Sequence, residues 1–167
     1  MIETPEKLWV YDAVEPGQAG APTVVTLTPE NIAAYARVAQ NRDARFQAGA
    51  APAEFGGALA AMPTMILTYA PLMRPEIAEH NGFVALEDSQ TARRQTPFAK
   101  CEVCWFKPVF AGDTLTGTRH VLEKYERRGS QFVTFRVTAA NQHGETVAHY
   151  DYTCIFSYAK GQRTAPA

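Results

Sequence analysis

Cysteine is scarce in this chain. Three residues, Cys101, Cys104 and Cys154, are odd in number and too few for a disulfide framework. Excess charge of either sign is missing too. Sixteen Lys+Arg face seventeen Asp+Glu, a formal charge of −1. That balance argues against a nucleic-acid partner, because such binding rests on neutralising phosphates with surplus cations. The apolar stretch around Met62 to Met73 is too short and interrupted to span a bilayer, so no membrane partner is expected. Met1 to Lys7 lacks both the basic and the apolar part of a secretory leader, which points to a cytoplasmic protein. Four histidines are scattered at 80, 120, 143 and 149, and no His/Cys/Asp/Glu group has metal-ligand spacing. No metal and no separate cofactor is expected.

What is present is ordinary globular material. Hydrophobic residues make up 46% and charged residues 20% of 167, enough to fill the core of one domain. Residues 1–22, with Pro5, Pro16, Gly17, Gly20 and Pro22, read as an irregular head whose Leu8-Trp9-Val10-Tyr11 patch packs on that domain. Residues 23–160 read as the domain and 161–167 as a frayed tail.

Val24 to Leu27 is β-branched and predicts a strand. Thr28-Pro29-Glu30 then opens a helix, with threonine as N-cap, proline preset at the first position and an acid in the first turn. Ile32, Tyr35, Ala36 and Ala39 keep helical spacing to Ala39. Ala58 to Met73 is apolar nearly all round, which predicts an enclosed helix over Thr64–Met73. Pro63 suits its start, and Pro71 kinks or ends it. A short strand is expected at Gly82–Leu86 and longer ones at Phe98–Phe106, Asp113–Tyr125, Gln131–Asn141 and Thr146–Ala159. Tight turns at Arg127–Ser130 and Asn141–Gly144 make the last three an antiparallel meander. The fold class is therefore α+β: an antiparallel sheet of five or six strands wrapped around one long apolar helix, the hot-dog arrangement. A sheet edge free to pair makes a dimer the expectation.

Several stretches together resemble the MaoC-like hydratase/dehydratase family, the R-specific enoyl-thioester hydratases. Val25-Thr26-Leu27-Thr28-Pro29-Glu30 through Tyr35-Ala36-Arg37-Val38-Ala39 is similar to that family's first strand and helix. Phe106-Lys107-Pro108-Val109-Phe110-Ala111-Gly112-Asp113-Thr114-Leu115 is similar to its strand-and-turn segment. The resemblance spans residues 8 to 159, with the polar loop around Arg93 as an insertion. It implies addition or removal of water across a 2-enoyl/3-hydroxyacyl thioester. Coenzyme A or acyl carrier protein would enter as part of the substrate.

The family's active motif is Asp-x-Asn-Pro-x-His, and it falls here on Asn41-Arg42-Asp43-Ala44-Arg45-Phe46. Asn41 and Asp43 thus occupy the catalytic motif positions, and Phe46 replaces the histidine. Asp43 is either a surrogate base or, like Asn41, a turn residue bonding local backbone. The family's backbone donor to the thioester carbonyl maps to the N–H of Thr64, since Pro63 has none. Phe46, Met62, Met65 and Tyr69 are candidate acyl contacts, and much of that stripe must also be core. Arg93 and Arg94 are candidates for phosphate or carrier-protein contacts, weighed against a solvated loop. The Cys101/Cys104 pair sits three apart on a predicted strand and so points to opposite faces.

Three functions remain open at this level. One is a hydratase/dehydratase acting as a homodimer. A second is a non-catalytic acyl-binding subunit paired with an Asp/His-bearing hot-dog partner, the branch that Asn41, Asp43, Phe46 and Pro63-Thr64 resemble most. The third is a hot-dog thioesterase, ranked last because Thr64–Met73 contains no Asp or Glu.

Overall fold

A computed structural model describes residues 5–47 and 56–159. The tail from Gly161 and most of the glycine- and alanine-rich loop before Gly57 lie outside the described residues. Strand β1 (Thr23–Thr26) leads into helix α1 (Pro29–Val38). The start of α1 is fixed locally: Thr28 Oγ1 accepts from Asn31 N–H at 3.1 Å, and Asn31 Oδ1 accepts from Thr28 N–H at 3.2 Å. This reciprocal cap satisfies two donors that the first turn leaves orphaned. Ile32 and Ala36 turn inward.

The expected long helix proves short. A 3₁₀ turn, Pro63–Met65, runs into α2, which spans only Ile66–Tyr69. Pro71 supplies no N–H and disfavours helical backbone at Ala70, whose φ is −133° and ψ 71°. Ala70 C=O accepts instead from the Tyr150 hydroxyl at 2.8 Å. Nor is the segment enclosed all round: Met65, Ile66, Tyr69 and Ala70 are buried, while Leu67 is 50% exposed. Met73, at φ 50°, then turns the chain into a further helix, α3 (Arg74–His80), which buries Ile77 and Ala78.

Four long strands complete the sheet: β2 (Phe98–Trp105), β3 (Thr114–Arg127), β4 (Ser130–Ala140) and β5 (Thr146–Ser157). All pairings are antiparallel, in the order β1-β3-β4-β5-β2. Arg128 and Gly129 both take positive φ, 52° and 77°, the backbone of a two-residue hairpin turn. Register shifts in β2, β3 and β5 curl the sheet. Val133, Phe135, Val137 and Ala139 are all buried on one face of β4, as their alternation predicts. Gly82–Leu86 is not a strand; Val84 makes only an isolated parallel bridge to Leu8, because Lys7 and Trp9 offer it a single pair of bonds.

Two apolar clusters fill the concave side. Leu27, Ile32, Ile66, Tyr69, Leu115, Val137 and Tyr150 pack around α1 and α2. Trp9, Ile77, Leu86, Val121, Phe135 and Phe156 pack around α3 and the head. Trp9 is 2% exposed and donates from its indole to Gln18 Oε1 at 2.9 Å. No helix among the described residues is long and apolar enough to cross a membrane.

Gly117 of β3 lies against Thr23 of β1 and Ala70 at the end of α2. A Cβ there would lie 2.9 Å from Thr23 Oγ1 and 3.2–3.3 Å from Ala70. Gly117→Val is expected to cost about 1–3 kcal/mol through overpacking. A urea midpoint equal to that of the natural chain would show that α2 has room to retreat.

Candidate functional site

Three distant segments enclose an apolar cavity of about 310 Å³: Arg45–Phe46 after α1, Ala60–Pro63 with Tyr69 at α2, and Trp105–Val109 after β2. Long-range bonds hold them together. Ala61 N–H donates to Val109 C=O at 2.8 Å and Ala111 N–H to Leu59 C=O at 2.8 Å. The Trp105 indole donates to Pro63 C=O at 2.9 Å, tying the end of β2 to the start of α2.

The Pro108-to-Asp113 turn secures the third segment. Gly112 adopts φ 93°, a conformation costly for other residues, and donates to Leu27 C=O at 2.8 Å. Asp113 Oδ2 accepts from Phe110 N–H at 2.8 Å. Pro108 and Val109, at the start of that turn, thereby form part of the cavity wall.

Of the motif positions, Asn41 does structural work. Its Oδ1 accepts from Asp43 N–H at 2.9 Å, its carbonyl accepts from Gln47 Nε2 at 2.7 Å, and its amide lies 3.7 Å from Met62 Sδ. Asp43 caps the 3₁₀ turn Ala44–Phe46 by accepting from Arg45 N–H at 3.0 Å, and it holds the Arg45 guanidinium with both oxygens. Those bonds from Arg45 pull its carboxyl down to about 2. Such a carboxylate is a weak base. Neither Asn41 nor Asp43 lines the cavity.

Phe46, Met62 and Tyr69 do line it. Met65 instead is buried in the core against the sheet. Thr64 stands outside the lining. Its hydroxyl accepts from Tyr35 OH at 3.1 Å, and its N–H takes no acceptor among the described residues, as the second position of a 3₁₀ turn allows. Arg93 and Arg94 are not brought here. Both are exposed, Arg93 beside a separate depression with Glu87, Asp88, Ser89 and Gln90.

Among the lining residues that the sequence does not single out as site contacts are Arg45, Trp105 and Lys107. The signal available was Trp105-Phe106, two bulky apolar residues facing opposite ways at a strand end. Arg45 and Lys107 are exposed and place positive charge at the rim, with Asp43 and Glu145 as ion-pair partners. Burial pushes the Tyr69 hydroxyl up to about 12, so it remains a neutral donor through the working pH range.

No histidine, cysteine, aspartate or glutamate is among the described lining residues. His149 sits under Phe106, ring centroids 5.3 Å apart, directly across from Cys104. Cys101 pairs with Tyr152 on the other face, so the two cysteines diverge as the strand requires. All three thiols are free. No cluster able to hold a metal ion occurs among the described residues.

Solved structures share this architecture. An R-hydratase of Pseudomonas aeruginosa (PhaJ1) superposes with a TM-score of 0.63 at 18% identity, covering 97% of this chain and 96% of that one. The HadBC (3R-hydroxyacyl-ACP dehydratase) complex of Mycobacterium tuberculosis gives 0.59 at 21%, covering 85% and 99%. A MaoC-like dehydratase of Rhodospirillum rubrum gives 0.60 at 17%, covering 89% and 96%. These likenesses establish the hot-dog fold of the MaoC-like and R-hydratase proteins. No curated protein sequence matches the chain. A family model, however, matches residues 24–150, from β1 through the cavity segments into β5. Sheet, buried α2 and turn thus agree with one assignment: the chain belongs to the FAS1-like, dehydratase domain region family.

Proposed function

We propose that this chain binds an acyl thioester as the non-catalytic half of a two-subunit hot-dog dehydratase, leaving water addition or removal to an Asp/His-bearing partner. One observation carries the reading: the cavity is built, but its described lining has no carboxylate or imidazole to move a proton. General acid–base chemistry needs such a group within hydrogen-bond reach of the reacting atoms. Phe46 fills the place where the family motif has histidine, and Asp43 is committed to Arg45. At about 310 Å³ the cavity stands at the small end of small-molecule sites, which suits a short acyl thioester head. Arg45 and Lys107 at the rim suit the phosphate of a pantetheine arm, carried by coenzyme A or acyl carrier protein.

A partner subunit also fits the sheet. Strand β2 is an outer strand with Phe98 and Trp105 half exposed, and Phe106 follows it equally exposed. An unpaired apolar edge of that kind is a template for another strand. It lies next to the cavity, so a subunit docked there would face the bound thioester.

Titrated with crotonyl-CoA, the purified chain should bind it while the enoyl absorbance decays no faster than in buffer. Turnover at an enzymatic rate would transfer the function to a self-sufficient hydratase. Failure to bind any short acyl-CoA would remove the thioester reading.

A further inference from the structure

The Tyr69 hydroxyl is unlike the other polar groups around the cavity. Tyr69 is only 3% exposed, yet no hydrogen bond to its hydroxyl exists among the described residues. Buried tyrosine hydroxyls ordinarily find a partner. Its neighbour Tyr150 does so, donating to Ala70 C=O at 2.8 Å. The Tyr69 hydroxyl is not sealed in protein either, because the one side-chain N or O among the described residues that is both sealed and unpartnered is Arg119 Nε. The free space that Tyr69 meets is the cavity it lines.

The surroundings leave this group alone in the apolar part of the site. Phe46, Ala61 and Val109 offer only carbon from their side chains. The Pro63 carbonyl is taken by the Trp105 indole, and the Met62 sulfur by the Asn41 amide. The two cations stand at the exposed rim. A chain entering past them meets apolar walls and, among the described side chains, a single uncommitted neutral donor.

Resting on the thioester reading above, we infer that Tyr69 is a specificity-determining residue that selects acyl groups bearing a hydroxyl at C3 or C4 over the saturated acyl group of equal length. A saturated chain would cover the phenol without replacing the water it loses, leaving a buried polar group unpaired. A hydroxylated chain accepts the hydrogen bond. Sites built around such a donor discriminate against the analogue lacking its partner.

Butyryl-CoA, 3-hydroxybutyryl-CoA and 4-hydroxybutyryl-CoA, titrated calorimetrically into the natural chain and Tyr69→Phe, test the assignment. In the natural chain one or both hydroxylated thioesters should bind about three- to tenfold more tightly than butyryl-CoA, the range of one net hydrogen bond. Tyr69→Phe, which keeps the ring, should bring that ratio to about one, in part by tightening butyryl-CoA binding, because no phenol is then left unpaired. A natural chain with no preference, a variant that keeps the preference, or an equal loss for all three ligands would each overturn the inference. No binding of any thioester to the natural chain is a different result: it removes the thioester reading itself.

Discussion

Co-expressed with a hot-dog subunit that carries an intact Asp-x-Asn-Pro-x-His and is encoded beside it, this chain is expected to purify as a one-to-one complex. That complex should hydrate crotonyl-CoA about 10²–10⁴ times faster than this chain alone, the contribution of a positioned acid/base pair. The expectation follows from what each half would supply. This chain offers an apolar cavity with cations at the rim, and its described lining has nothing that exchanges protons. In the complex, Phe46→Ala should raise KM with little change in kcat, because removing wall contacts weakens ground state and transition state alike. Trp105→Asp, which places a charge on the exposed outer strand, should separate the subunits on gel filtration. If no such subunit associates, or if the partner works equally well without this chain, the division of labour proposed here is wrong.

The second large effect is on stability, and it is asymmetric. Arg119 lies on β3 with its side chain fully buried. Its guanidinium donates to Ala21 C=O and Glu76 Oε2 at 2.9 Å and to Thr23 Oγ1 at 2.7 Å. It therefore joins the head, β1 and α3 across the inner face of the sheet. Glu76 is 32% exposed and keeps contact with water. Glu76→Ala strands a buried cation, a change that costs about 3–5 kcal/mol for enclosed pairs. The partial exposure of Glu76 argues for the low end, about 3 kcal/mol, or roughly 10 °C in Tm for a chain of this size. Arg119→Met removes the cation and leaves a carboxylate that water can reach, so it should cost less. The double variant Arg119→Met/Glu76→Gln should recover most of the loss. Thermal unfolding of the three proteins checks the order, and Glu76→Ala proving the mildest would refute it.

Local features were legible in the sequence. Thr28-Pro29-Glu30 signalled the start of α1 because capping involves groups only three residues apart. The inward set of β4 was legible because side chains alternate along any strand. The opposed faces of Cys101 and Cys104 followed from the same alternation. Even the break after Tyr69 was foreshadowed, since Pro71 acts through its own missing N–H. Its full consequence was not, because the onset of α3 depends on Met73 adopting φ 50° and on the burial of Ile77 against the head.

Sequence by itself determined the fold class and the segment that resembles the family motif, because both rest on periodicity and residue order. Tertiary structure alone decided what that motif does. Asp43 is drawn to Arg45, Asn41 to its own loop, and Arg93 to a different surface, each settled by contacts that spacing does not encode. The cavity belongs to the same category: its walls meet through pairs such as Trp105 and Pro63, 42 residues apart. So does the burial of Arg119, a charged residue that any one-dimensional reading would turn toward solvent. Side chains distant in the chain acquire a shared environment only when the sheet curls around α2, and that environment fixes which donors are spent and which remain free to meet a ligand.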